Sequence, residues 1–149
     1  MRAVVQRVKY CNVSVGGEEV GSISAGLCVL LAVGNNDDRE DADYIFDKIL
    51  NLRVFADEEG RMNLSARDVD KDIMAVPQFT LYGDCREGRR PGYSDAAHPD
   101  KAEELFEYFV EKLEKIDLNT ASGEFKEYME VDLCNDGPVT LLVDSDKNF

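Results

Sequence analysis

The 149-residue chain has a single histidine, His98, and its four cysteines form no Cys-x-x-Cys pair. Zinc sites draw mainly on clustered cysteine and histidine ligands, so no metal site is expected. A Ser-His-Asp triad would need His98 as its general base. His98 directly precedes Pro99 at a predicted helix N-cap, which is typical of a surface turn. We therefore expect little side-chain catalysis, and we expect reduced, mostly buried cysteines.

Basic residues and long apolar runs are also scarce. The chain has 17 basic against 31 acidic residues, a net charge of −14. Broad binding to a phosphate backbone is therefore not expected, although a pocket for the end of a nucleic acid is not excluded. The longest apolar run, residues 27–33, is too short to span a bilayer, and no signal-peptide core is visible. The sequence predicts one cytoplasmic domain over residues 1–149.

One basic cluster stands out against this acidic background. Arg86, Arg89 and Arg90 lie in a loop rich in glycine and proline. A solvated loop is one interpretation, and a local phosphate clamp beside a binding pocket is the other. The residues alone leave both open.

The apolar pattern predicts short strands and two helices. A capping box at Asp37 and Glu40 begins the first helix, and Pro99 begins the second. Gly16-Gly17 predicts a hairpin, and residues 57–60 a turn. The predicted strands cover residues 3–8, 11–15, 19–23, 27–33, 52–55, 73–76, 125–133 and 139–143. The helices should bury Ala42, Ile45, Phe46, Ile49 and Leu50, and Ala102, Leu105, Phe106, Phe109 and Leu113.

The order of these elements, a group of strands, a helix, two strands, a helix and two strands, determines the predicted fold class. It is too irregular for a doubly wound α/β fold. It suits an α/β protein whose mixed sheet is strongly curled into a partial β-barrel, with the helices on the outside.

The segment Gln78-Phe79-Thr80 places an amide and a hydroxyl within apolar sequence. The Gln78 side chain both donates and accepts hydrogen bonds. If residues 78–80 continue a regular strand, the Thr80 side chain lies on the same face of that strand as Gln78. Consecutive backbone N–H groups at the end of a strand can also stabilise an oxyanion. The alternative is an edge strand with incidental polar residues.

Gly137-Pro138 stands at the threshold of a predicted strand. Proline cannot donate a hydrogen bond to the sheet, and glycine permits the backbone to approach a ligand closely. A routine turn explains the pair equally well.

Three separated blocks resemble the signature motifs of the D-aminoacyl-tRNA deacylases. The similarity to this family covers nearly the whole chain. The similarity also includes residues 1–8, residues 123–125 and Met129. The blocks are Gln78-Phe79-Thr80-Leu81-Tyr82, Arg89-Arg90-Pro91 and Asn135-Asp136-Gly137-Pro138-Val139-Thr140.

The resemblance implies a homodimer that acts on the 3′ end of aminoacyl-tRNA, with each active site at the subunit interface. Gly137-Pro138 matches the family's Gly-cis-Pro element, which enters the partner's pocket and crowds the chiral centre. An L side chain is then excluded, while D-residues and glycine enter. Arg7 matches an arginine that holds this element.

The resemblance also implies which residues line the pocket. Gln78, Phe79 and Thr80 match the residues around the terminal adenosine and the aminoacyl ester. The family's proposed mechanism uses backbone donors and the 2′-hydroxyl of the tRNA, without metal or cofactor. A threonine without a nearby base is a poor nucleophile, so we expect Thr80 to position the substrate.

The expected reaction is ester hydrolysis that releases D-amino acid and free tRNA, with mischarged glycyl-tRNA as a second substrate. Pro77 stands where most bacterial members have serine, and proline there also occurs in a related subgroup with relaxed chiral selectivity. An editing deacylase of relaxed chirality is therefore an alternative. A non-catalytic module that binds RNA ends is another alternative, because few side chains in the sequence could act in catalysis.

Overall fold

The computed structural model describes residues 1–148 and has an α/β architecture. Its helices are α1 (Arg39–Asn51) and α2 (Pro99–Leu113). The main sheet has six strands in the order β2-β1-β3-β6-β7, with β8 paired to β1, and β4 and β5 form a separate ribbon. The strands are β1 (Arg2–Val15), β2 (Glu18–Ile23), β3 (Gly26–Ala32), β4 (Phe55–Ala56), β5 (Met62–Leu64), β6 (Asp72–Pro77), β7 (Thr120–Ser122) and β8 (Met129–Asp144).

Strand β1 runs the length of the sheet as one element, where the sequence predicted two. One of its edges pairs with β8 throughout, while the other pairs with β3 over residues 2–8 and with β2 over residues 11–15. The predicted hairpin lies between β1 and β2. Gly16 and Gly17 have φ values of +59° and +87°, a region that glycine adopts without penalty.

The parallel strands β3, β6 and β7 complete the curl of the sheet. At the far edge, β2 and β7 approach so closely that a Cβ atom on Gly21 would lie 2.8 Å from the Ser122 carbonyl oxygen. The sheet is therefore nearly closed, and the predicted mixed α/β partial barrel is confirmed.

Both helices cover the sheet with the predicted apolar faces. The five residues expected on each face are all buried, and Phe46 of α1 meets Phe109 of α2 edge to face at 5.8 Å between ring centroids. The predicted cap of α1 was wrong by one residue, because Asp38 and Asp41 form the capping box. Asp37 instead accepts hydrogen bonds from the Gly34 amide and the Tyr82 hydroxyl.

Three strand predictions also need correction. The predicted strand 52–55 is only the two-residue β4, and β5 was missed, so three strands rather than two separate the helices. Strand β7, which follows α2, was missed as well. The predicted strand 125–133 begins only at Met129, because the backbone reverses at Lys126, where φ is +67°. Residues 139–143 belong to the same long strand β8.

The cysteines are all free, as expected, but their burial varies. Cys11 and Cys28 are buried, Cys134 is half-buried, and Cys85 is exposed. Of the two helices in residues 1–148, neither is long and apolar enough to cross a membrane.

Candidate active site

A cavity of about 650 Å³ opens where strands β6 and β7 end. Parallel strands bring their carboxyl ends to the same edge of a sheet, so residues that follow β6 meet residues that follow β7. The Gly123 amide donates to the Ala75 carbonyl at 2.9 Å and fixes this junction. The lining comes from three segments: Val76, Pro77, Gln78 and Phe79; Tyr93, Ala96, Ala97, His98, Pro99 and Ala102; and Phe125, Lys126, Glu127, Tyr128, Met129 and Val131.

The Gln78-Phe79-Thr80 segment lies at this cavity but is not a strand, so that prediction was wrong. Strand β6 ends at Pro77, and residues Phe79–Tyr82 form a 3₁₀ turn. The Gln78 amide still donates to the Leu31 carbonyl at 2.7 Å, and its own carbonyl accepts from the Leu81 amide at 3.2 Å. The turn folds the two polar side chains together, and the Gln78 Nε2 donates to the Thr80 hydroxyl oxygen.

The start of this turn leaves backbone donors available. The first N–H groups of a helical turn have no partner within it, and no side chain caps this one. The groups concerned are those of Phe79 and Thr80. Thr80 is exposed and does not line the cavity, whereas Gln78 and Phe79 do.

The cavity wall is mainly apolar and aromatic. Phe79 and Tyr93 meet edge to face at 5.1 Å, and their side chains are 56% and 40% exposed. At the floor, a Cβ on Gly123 would lie 2.7 Å from the Met129 sulfur and 3.4 Å from Pro77 Cδ. Glycine therefore lets these two elements pack closely without displacing the Met129 side chain.

Sequence reasoning missed several of these residues. It did not assign Tyr93, Phe125 or Met129 to the site, although residues 123–125 and Met129 belonged to the similarity that pointed to the family. The signal was available as a glycine before an aromatic residue, in a segment that follows a parallel strand. His98, expected at the surface, is exposed and also lines the cavity.

Few charged groups reach the cavity. His98 lies 3.6 Å from the Asp100 carboxylate, and Lys126 pairs with Glu103, whose hydrogen bond raises the pKa of the lysine. Within residues 1–148 no cluster of histidine, cysteine and carboxylate side chains could hold a metal ion. The cavity is thus suited to an uncharged, partly aromatic ligand.

The Gly137-Pro138 pair forms a protrusion on strand β8. Thr140 pairs with Gln6 and Asn135 pairs with Val8, so residues 136–139 all stand opposite Arg7. This bulge pushes Gly137 and Pro138 out of the sheet, where both are exposed. The peptide bond between them is cis. Gly137 has φ +134°, and a Cβ there would lie 2.8 Å from Val139 Cγ2 and 3.1 Å from Arg7 Nη2.

Arg7 is the residue that holds the protrusion. Its side chain is 15% exposed. Its Nε donates to the Asp136 carbonyl at 3.0 Å and lies 3.4 Å from the Asp136 carboxylate, and its Nη1 donates to the Val54 carbonyl. The Asn135 amide donates to the Gln6 side chain at 2.7 Å and to the Thr140 hydroxyl at 3.3 Å, which closes the base of the bulge.

The basic loop lies beside the cavity. An isolated bridge between Asp84 and Gly92 closes the loop next to the cavity residue Tyr93. Arg86 is paired with Asp84 at 2.7 Å, and its hydrogen bonds hold the pKa of that carboxyl below its usual range. Arg89 and Arg90 are exposed. The charge directed outward therefore comes mainly from these two arginines.

The predicted site residues thus form two groups that do not meet within one chain. Arg7, Gly137 and Pro138 contribute nothing to the cavity wall. Val131 lines the cavity, and the six residues of β8 from there to Gly137 extend up to roughly 20 Å. Each group is half of the site that the sequence predicted.

Comparison with known proteins identifies the family. The family model described as D-Tyr-tRNA(Tyr) deacylase matches residues 4–144. The chain is 60% identical over 150 residues to the D-aminoacyl-tRNA deacylase of Thermosipho melanesiensis and 58% identical over 149 residues to that of Desulforamulus reducens. Each alignment covers 100% of both chains.

Two solved structures share the fold of this chain. The structure titled c-Myc DNA Unwinding Element Binding Protein is 39% identical, with a TM-score of 0.90 over 97% of this chain and 98% of the other. A probable eukaryotic D-amino acid tRNA deacylase is 20% identical with a TM-score of 0.80 over 96% and 98%, which shows the shared fold. The chain belongs to the D-Tyr-tRNA(Tyr) deacylase family, and the predicted enzyme class, a deacylase, is confirmed.

Proposed function

We propose that the cavity takes the 3′-terminal adenosine and aminoacyl group of D-aminoacyl-tRNA and hydrolyses the ester, releasing D-amino acid and free tRNA. The observation that carries this proposal is the position of Gln78 and Phe79 at the edge of an apolar, aromatic cavity in a member of the deacylase family. A nucleoside with an uncharged side chain fits such a wall, because its bases and rings contact aromatic side chains favourably.

The chemistry requires little from acidic or basic side chains. Water attacks the ester carbonyl, the N–H groups of Phe79 and Thr80 stabilise the resulting oxyanion, and the intermediate expels the ribose oxygen, which takes up the proton. The 2′-hydroxyl of the terminal ribose is available to assist that transfer. Gln78 orients the ester and is itself held by Thr80. Thr80 acts in positioning, since the partner of its hydroxyl within residues 1–148 is an amide, which is no base.

Stereochemical selection is assigned to a second copy of the chain. In a homodimer, the protruding Gly137-Pro138 of one subunit enters the cavity of the other and crowds the chiral centre, so an L side chain does not fit. The exposure of this pair and its separation from the cavity of its own chain support that arrangement. A pocket that rejects L side chains cannot reject hydrogen, so mischarged glycyl-tRNA is a second substrate. Arg7 keeps the protrusion in place.

Contact with the rest of the tRNA is limited. In this proposal Arg86, Arg89 and Arg90 hold phosphates beside the cavity, and the exposure of Arg89 and Arg90 supports that role. The net charge of −14 keeps this contact local and its salt dependence weak. The reaction needs no cofactor or metal, and we place it in the cytoplasm.

Two other functions are favoured by particular observations. Pro77 lines the cavity, and an editing deacylase with relaxed chirality would follow if proline there widened the site for L side chains. A module that binds RNA ends without turnover would follow from the scarcity of charged groups in the cavity.

Release of labelled tyrosine from D-Tyr-tRNA and L-Tyr-tRNA, measured side by side with EDTA, separates the three functions. Rapid cleavage of the D-ester with the L-ester spared supports the proposal. Cleavage of both supports relaxed editing, and a Pro77→Ser variant that regains D-selectivity would identify the cause. Cleavage of neither contradicts the proposed activity and leaves the binding module.

A further inference from the structure

The mouth of the cavity carries an aromatic side chain that the proposed chemistry does not use. Tyr128 is 87% exposed, the highest value among the large apolar side chains of residues 1–148. Within residues 1–148, no side chain makes a ring contact or a hydrogen bond with Tyr128. A single exposed apolar residue is normal, but exposed apolar groups gathered at a groove mark a binding surface. Tyr128 stands in the cavity wall with Tyr93 and Phe79.

The segment that carries Tyr128 is held in a set conformation. Lys126 has φ +67°, a left-handed conformation that non-glycine residues adopt rarely. The chain therefore reverses between Phe125, whose ring packs 6.0 Å from Phe106, and the exposed Tyr128. The Lys126 ammonium is tied to Glu103 and lies 3.9 Å from Asp100, both on α2. Tyr128 is thus presented on a backbone that is already ordered.

We propose that Tyr128 binds the base of the penultimate nucleotide of aminoacyl-tRNA by stacking. This inference rests on the proposed function, in which the terminal adenosine and the aminoacyl group occupy the cavity interior. Tyr128 stands at the rim, where the strand must leave. The acceptor end of tRNA is single-stranded, so its bases are free to stack on aromatic side chains.

The charges around Tyr128 favour a base over a phosphate. Glu127 is adjacent in the chain, and Glu103 and Asp100 surround Lys126, so the local charge is negative. Stacking does not depend on attracting phosphate. The exposed arginines Arg89 and Arg90 belong to the loop that the Asp84–Gly92 bridge closes next to Tyr93, and in this proposal they neutralise the backbone of the same nucleotides.

Substrates of increasing length test the role of Tyr128. The wild-type chain and Tyr128→Ala are assayed with D-Tyr-adenosine, with the D-Tyr ester of the dinucleotide CpA, and with D-Tyr-tRNA. We expect Tyr128→Ala to lower kcat/KM about 10-fold for the dinucleotide and the tRNA, mainly through KM, as stacking on one aromatic side chain contributes. D-Tyr-adenosine should be cleaved as by wild type. Tyr128→Phe should cleave all three substrates at the wild-type rates, because it keeps the ring.

The control is Met62→Ala, which removes another exposed apolar side chain, 61% exposed, on β5 away from the cavity. It should leave all three substrates unaffected. An equal loss on all three substrates for Tyr128→Ala, no loss on any, or a change in its sedimentation relative to wild type would overturn the inference. If wild type cleaves none of the three, the proposed function fails. In that case the affinities of unacylated CpA and of adenosine, measured by calorimetry for wild type and Tyr128→Ala, still test whether Tyr128 binds the penultimate base.

Discussion

The cavity and the Gly137-Pro138 protrusion are built in opposite ways. The cavity lies at the ends of parallel strands, its wall comes from three separate segments, and it exposes aromatic side chains such as Phe79. The protrusion is a local bulge on a strand paired antiparallel to β1, and it exposes backbone. It is fixed by hydrogen bonds from Arg7 and Asn135.

The difference suits the cavity to substrate binding and the protrusion to stereochemical selection, the roles proposed for them. A cavity that contacts rings and bases discriminates by shape and area, and it discriminates poorly between mirror images. In the proposed function, the backbone protrusion adds a fixed obstacle on one side of the chiral centre. The two halves do not meet within one chain, so the proposal joins them through a second copy. The following substitutions damage one half at a time.

Gly137→Ala should have the largest effect. The residue has φ +134°, and its new Cβ would meet Val139 and Arg7, so the protrusion must shift. A displacement of about 1 Å near reacting atoms costs roughly 100-fold in kcat/KM for D-Tyr-tRNA. Gly60→Ala is the control, since Gly60 has φ +78° and open space around it. The protrusion has no role if both variants show the same rates and D/L ratio.

Substitutions in the cavity should affect turnover and leave chirality unchanged. Gln78→Ala removes the amide that orients the ester, and a loss of about 2 kcal/mol corresponds to roughly 30-fold in kcat. Thr80→Ala should stay within about 3-fold of wild type, because the proposal gives Thr80 a positioning role rather than that of nucleophile. Single-turnover hydrolysis of D-Tyr-tRNA measures both. A near-complete loss in Thr80→Ala would make Thr80 the nucleophile after all.

Arg7→Ala should lower stereoselectivity before it lowers rate. The substitution removes donors to the Asp136 and Val54 carbonyls, so the protrusion loses its anchor. We expect the D/L ratio to fall about 10-fold and the free energy of unfolding by about 2 kcal/mol. Arg53 donates to the Asn63 carbonyl at 2.7 Å outside the site, so Arg53→Ala is the matched control. An unchanged D/L ratio in Arg7→Ala would contradict its role.

Replacing Arg89 and Arg90 together with alanine should have the smallest effect. Both side chains are exposed, so their attraction for phosphate is screened by salt. We expect KM for D-Tyr-tRNA to rise about 3-fold at low ionic strength, with the difference vanishing at high salt. A KM effect that persists at high salt would show that the loop contacts bases or protein instead.

The fold was predictable where one local pattern decides it. The buried faces of α1 and α2 follow from apolar spacing alone, and the Gly16-Gly17 hairpin follows from turn chemistry. Long-range pairing decides the rest. Strand β7 has only three residues, and it exists because β6 offers a parallel edge. The 3₁₀ turn at Phe79 ends a strand that composition alone would have extended.

The site was predictable mainly through the family resemblance. Gln78 and Phe79 were assigned to the cavity that they line, and Arg7 was assigned to the protrusion that it holds. Tyr93 and Met129 were missed because they join the cavity only when distant segments fold together. The bulge opposite Arg7 depends on register between β1 and β8, which no local pattern encodes.

Complementation between two damaged chains tests the shared site most directly. Gln78→Ala and Gly137→Ala are purified separately, mixed under conditions that exchange subunits, and assayed with D-Tyr-tRNA. If each site joins the cavity of one chain to the protrusion of the other, mixed dimers contain one intact site. The mixture should then recover about a quarter of wild-type activity, from random pairing of subunits in a two-fold dimer. Activity no higher than the average of the two separate variants would contradict a site shared between subunits.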